Sequence, residues 1–141
     1  MSVVLGYDEA PGARRALRLA IETARRFDLP LVVAYGAAPP PGSVGEEAAV
    51  HAEAITELGM DTVADAVARA RAAGLRVVVE FLGERPVQAL LEAAERHEAE
   101  VIVVGTYGES ALRGALLGSV PHRLLHLSDR PVLCVPPASS D

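Results

Sequence analysis

The apolar positions of the chain alternate between two periods. Short apolar runs rich in β-branched residues, at Ser2 to Tyr7, Leu31 to Tyr35, Leu75 to Leu82 (interrupted by Arg76 and Glu80), Val101 to Val104 and Pro131 to Val135, have the length of buried strands. Between them the period lengthens to that of a helix. Ala13, Leu17, Ala20, Ile21, Ala24 and Phe27 recur on one helical face, while Arg14, Arg15, Arg18, Arg25 and Arg26 lie mainly on the others. An alanine-rich helix is expected from about Glu46 to Ala73, with Gly59 as its weak point and Gly74 just past its end. Pro86 opens a helix to Glu98 that turns Val87, Leu90, Leu91 and Ala94 inward, and a last helix runs from Ser119 to about Leu127.

The segments between these elements read as turns. Asp8-Glu9-Ala10-Pro11-Gly12 is the exit from the first strand, with Pro11 suited to a first helical turn. Gly36 to Ser43, with three consecutive prolines, suits neither helix nor strand, so 36–46 is expected as a flexible loop and 136–141 as a tail. There are no internal repeats. Five strands alternating with four helical segments predict a single α/β domain over residues 1–141: a doubly wound, open parallel sheet with helices on both faces. In such sheets a ligand binds beyond the carboxyl ends of the strands, where strand order reverses.

Composition narrows the chemistry. The chain has 141 residues, 50% of them hydrophobic, which is enough for one core. A net charge of −6 argues against nucleic acid or an anionic membrane as partner, and no apolar run approaches the roughly 18 residues of a membrane helix. All 13 basic residues are arginines. Without lysine there is no Walker A phosphate loop and no Schiff-base chemistry. The lone Cys134 excludes an intramolecular disulfide, and no signal-like segment opens the sequence, so a cytoplasmic protein is expected.

The fourth strand ends in the densest motif, Val104-Gly105-Thr106-Tyr107-Gly108, followed after nine residues by Gly118-Ser119-Val120. Gly105 and Gly108 permit positive φ and close approach of backbone to a ligand, and Ser119 is placed as a helix N-cap. Amides converging at a helix N-terminus make a site for an anion, most naturally phosphate.

This Gly-x2-Gly-x9-Gly-Ser pattern, with His122-Arg123-Leu124-Leu125 and Ser128 to Pro136 after it, resembles the nucleotide-binding signature of the universal stress protein family. The likeness spans nearly the whole chain and includes Val3-Val4-Leu5-Gly6-Tyr7-Asp8, similar to that family's first strand with its acidic end. It implies the strand order 3-2-1-4-5, which sets Asp8 and the glycine loop on one crevice. By the resemblance, Asp8 contacts adenosine and Gly6 and Tyr35 line the base pocket. Val104 and Gly105 lie beneath the ribose, and Gly108, Gly118, Ser119 and Val120 hold the phosphates. The ligand implied is ATP, or AMP or ADP, with Mg²⁺ arriving only with the nucleotide. The resemblance also implies a homodimer through Val132-Leu133-Cys134-Val135, an apolar edge that would otherwise stand unpaired.

Four positions depart from the family pattern. Glu9-Ala10 stand where Gly-Ser is common, Tyr107 where a basic or His side chain is frequent, and Pro121 offers no amide to a phosphate. A nucleotide-free interaction protein of the same fold is therefore the alternative. His122 and His126 are spaced to face one another on a helix, without a third metal ligand placed by sequence. Cys134 reads as a small core residue, and Glu92, Glu95, Glu98 and Glu100 as a solvated helix side and its exit. No catalytic residue can be named, so a binding module rather than an enzyme is expected.

Overall fold

A computed structural model describes residues 1–8, 12–37, 42–106 and 119–138. Its elements in chain order are β1 (Ser2–Gly6), α1 (Ala13–Phe27), β2 (Leu31–Gly36), α2 (Glu46–Ala72), β3 (Val77–Leu82), α3 (Pro86–Arg96), β4 (Ala99–Gly105), α4 (Ser119–Leu127) and β5 (Val132–Val135). The five strands form one parallel sheet in the order β3-β2-β1-β4-β5. The central strands β1 and β2 carry unbroken apolar runs because both their faces are covered. Val3, Leu5, Leu31, Val33 and Val103 pack with Leu17 of α1 and Val63 of α2. Val4, Val32, Ile102 and Val104 pack on the other face with Val87 and Leu90 of α3 and Leu124 of α4. Val4 lies opposite both Val32 and Ile102, so β1 is the centre of each layer.

Several boundaries differ from expectation for local reasons. β1 ends at Gly6 rather than Tyr7, and β3 begins at Val77 rather than Leu75. Helix α1 follows Gly12, whose φ of 91° is left-handed, and ends at Asp28, whose φ is 54° and whose N–H reaches the carbonyls of Ala24 and Arg25. Phe27 therefore lies on the last turn, 70% exposed, and not in the core as its spacing predicted. Gly74 is left-handed at φ 86°, as its place beyond α2 required. Gly36 is the last residue of β2 and not part of a loop. The presumed tail also begins ordered: Arg15 Nη1 donates to the Pro136 carbonyl at 3.0 Å across the start of α1. Pro11 lies outside the described residues.

Gly59 does not break α2. A Cβ there would stand 2.7 Å from Cδ1 and Cε1 of Phe81 and 3.0 Å from Cδ1 of Tyr35. The residue that propensity marks as a weakness is what lets α2 lie on the Tyr35–Phe81 ring pair, whose centroids are 6.5 Å apart edge to face. The far end of α3 is tied to β3 by charge. Glu80 accepts from His97 Nε2 at 2.7 Å and from Arg96 Nη1 at 3.1 Å, and Arg96 Nη2 also donates to Glu92 at 2.6 Å. Glu92 joins this network from the solvated side of α3, its side chain 39% exposed. Burial pushes the Glu80 carboxyl up, but the hydrogen bonds and charges of His97 and Arg96 outweigh it and hold the group below its ordinary value.

Candidate functional site

Strands β1 and β4 lie side by side, with β2 and β3 continuing in one direction and β5 in the other. This is the switch point: β1 is followed by α1 in one core layer and β4 by α4 in the other. A cleft of about 90 Å³ opens at it, lined by Gly6, Tyr7, Asp8, Ala34, Tyr35, Gly36, Pro86, Leu90, Val104, Gly105 and Val120. Six of the nine residues expected at a site therefore come together: Gly6, Asp8, Tyr35, Val104, Gly105 and Val120. Gly108 and Gly118 lie outside the described residues. Ser119 is the first described residue of α4.

Each wall has a local cause. Gly6 is glycine because helix α3 comes close: a Cβ there would meet both δ-carbons of Leu90 at 3.0 Å and Cγ1 of Val104 at 3.2 Å. Gly36 is tighter, since its Cβ would overlap that of Ala89 and lie 2.8 Å from the Glu84 carbonyl oxygen. Gly105 behaves differently from the expectation. Its φ is not positive, and a Cβ would find only the Gly12–Ala13 backbone, from 3.6 Å outwards, which is ordinary contact. Neither strain nor crowding by the described residues explains a glycine there.

Sequence reasoning missed Tyr7, Ala34, Gly36, Pro86 and Leu90. Pro86 and Leu90 reach the cleft only because α3 packs over β1 and β2, a contact that no spacing in the chain encodes. Tyr7 is 4% exposed, while Asp8 beside it is exposed and brings the carboxylate to the rim. Tyr35 is half-buried and braced from behind by Phe81. The slot is thus mainly apolar with one acceptor-only group, suited to a flat ring and a hydroxyl or amine that donates to Asp8. One residue beyond Gly105, the buried Thr106 hydroxyl has no hydrogen-bond partner among the described residues, while its N–H donates to the Val135 carbonyl at 3.0 Å.

The match to known proteins follows this geometry. The model of the universal stress protein family covers residues 1–136. The chain belongs to the universal stress protein family. A family member from Methanocaldococcus jannaschii is 31% identical over 137 residues, covering 94% of this chain and 80% of the relative. Against one universal stress protein of Mycobacterium tuberculosis, 32% identical over 96% of this chain, the chain spans about half the relative's length, 48%, and against another, 31% identical, it spans 94%. The universal stress protein of Archaeoglobus fulgidus in complex with dAMP superposes with a TM-score of 0.69 at 27% identity, covering 96% of this chain and 97% of the other. A universal stress protein in complex with cAMP does so with a TM-score of 0.73 at 29% identity, covering 96% of each.

Two other sequence candidates acquire a setting in this family member. The His122 and His126 rings meet edge to face with centroids 4.8 Å apart on exposed α4, and no group of three or more potential metal ligands occurs among the described residues. Burial pushes the Cys134 thiol up, away from the thiolate form that reactive cysteines use. Among the described residues, no helix is long and apolar enough to cross a membrane.

Proposed function

We propose that this protein is an adenine-nucleotide-binding stress module whose ligand sits in the cleft between β1 and β4. The observation that carries the reading is the gathering of Gly6, Asp8, Tyr35, Val104, Gly105 and Val120 on one slot at the switch point. Family members of 27% and 29% identity in complex with dAMP and cAMP support the ligand class. In this reading the adenine lies against Gly6 and Tyr35, and Asp8 accepts from the sugar hydroxyls. Val104 and Gly105 lie under the ribose. Gly105 is glycine because a ligand, and not the protein, presses on it. Gly108, Gly118, Ser119 and Val120 take the phosphates of ATP, AMP or ADP, with Mg²⁺ entering only as the nucleotide's companion.

The module binds and signals rather than turns over. The chain has no lysine to steady a phosphoryl transition state, and in this reading Asp8 is spent on the nucleoside. The proposed assembly is a homodimer in the cytoplasm through Val132–Val135. β5 pairs with β4 on one side, Leu133 is 38% exposed, and an apolar recess of about 450 Å³ beside it is walled by Phe27, Val101 and Val132. A second copy pairing along β5 would cover both the open edge and Phe27.

Calorimetric titration of ATP and AMP with Mg²⁺ tests the reading. Binding is expected for the intact protein, with a loss of about tenfold or more in Asp8→Ala, the typical effect of deleting a hydrogen bond to a charged group. No heat at millimolar nucleotide from folded protein would refute it. The alternative, a nucleotide-free interaction protein, is favoured by one observation: Pro121 is buried in the first turn of α4, where a phosphate would look for an amide.

A further inference from the structure

On the face of the sheet away from Leu90 and Val104, helices α1 and α2 leave a second recess of about 230 Å³, lined by Arg14, Leu17, Arg18, Ile21 and Arg69. The first four are spaced i, i+3, i+4 and i+7, so they form one stripe of α1, and Arg69 faces them from α2. Arg14 and Arg18 are exposed, and no carboxylate is paired with either among the described residues. By contrast Glu22, one turn further on, holds both Arg25 and Arg26, at 3.4 and 2.9 Å. Arg69 gives only its Nε to Asp65, at 2.9 Å, and its two Nη groups remain for another acceptor.

Two like charges four residues apart on a helix repel, and the chain as a whole is acidic at −6, so this concentration of cation is not a consequence of composition. Its floor is apolar: Leu17 is 2% exposed and Ile21 is half-buried. A bare phosphate would use the guanidinium forks but would set its charge against that floor. A segment alternating carboxylates with aliphatic side chains would use both.

We propose that this recess is a docking site for an acidic peptide segment of a partner protein, its carboxylates on Arg14, Arg18 and Arg69 and an aliphatic side chain on Leu17 and Ile21. The site lies in the opposite core layer from the β1–β4 cleft, which leaves the two surfaces free to be occupied together.

The probe is a fluorescein-labelled peptide of repeated Glu-Glu-Leu triplets, titrated with the full chain and read by fluorescence anisotropy. Binding should weaken with added salt and fall by about tenfold or more in the double variant Arg14→Glu/Arg18→Glu, because each exposed charged contact is modest but the reversal adds repulsion. Among the described residues neither arginine makes a hydrogen bond or ion pair that supports the fold, and unchanged circular dichroism would verify that the variant is folded. The single variant Arg123→Glu on α4 changes net charge far from the recess and should retain the affinity. An equal loss in Arg123→Glu would reduce the effect to overall charge and overturn the proposal. So would an affinity indifferent to the double variant, or competition by inorganic polyphosphate that the Leu17→Ala and Ile21→Ala variants leave unchanged.

Discussion

Replacing Gly36 by alanine puts one methyl group where the protein has no room. The added Cβ overlaps Ala89 Cβ and lies 2.8 Å from the Glu84 carbonyl oxygen, and neither atom belongs to a flexible side chain. Relief requires helix α3 to shift off β2, loosening Val87, Leu90 and Ala93, which are at most 4% exposed. Overpacking of this kind costs about 1–3 kcal/mol, and the stiffer unfolded chain returns about 0.4–1 kcal/mol. The backbone-bound obstacles place the cost toward the upper end, for a net destabilisation of about 2 kcal/mol, or a urea midpoint lower by about 1 M. Gly105→Ala is the matched control. Its Cβ meets nothing closer than 3.6 Å, so stability should be unchanged or slightly raised while nucleotide affinity falls. Urea unfolding followed by far-UV circular dichroism measures both. Equal midpoints for the two variants would refute the close packing of α3 on Gly36.

Glu80 makes stability sensitive to acid. Its folded carboxyl titrates below its unfolded value, so its contribution is fully present above the unfolded value and is lost as pH falls through the folded one. Glu80→Gln should flatten the fall of the urea midpoint in the acid range and leave neutral pH less stable than the parent; an identical pH profile would sink the assignment. Leu133→Arg, at the open edge of β5, should convert the proposed homodimer to monomer without lowering its helical content. Sedimentation equilibrium at micromolar protein reads the mass, and a parent already monomeric there would remove the dimer.

The sequence by itself determined the layers of this protein. Runs such as Val3-Val4-Leu5 and Val101 to Val104 are apolar at every position, and only a strand covered on both sides needs that, so a parallel sheet between helices followed from hydropathy alone. The motif after β4 and the acid after β1 likewise marked the crevice, because a doubly wound sheet has one reversal and both motifs flank it. Tertiary structure decided which glycines serve which purpose. Gly59 and Gly36 read as a helix defect and a loop residue, yet each is a contact between elements distant in sequence, with Phe81 in one case and Ala89 in the other. Gly105, which could have served either a positive φ or a close approach, does not use the first. Phe27 kept its helical spacing but lies on the last turn of α1 beside the open β5 edge, where among the described residues nothing covers the ring. Leu90 and Pro86 entered the cleft for the converse reason, since α3 crosses the ends of β1 and β2. Periodicity records which face of an element is covered. What covers it, and how closely, depends on elements that only the folded chain brings together.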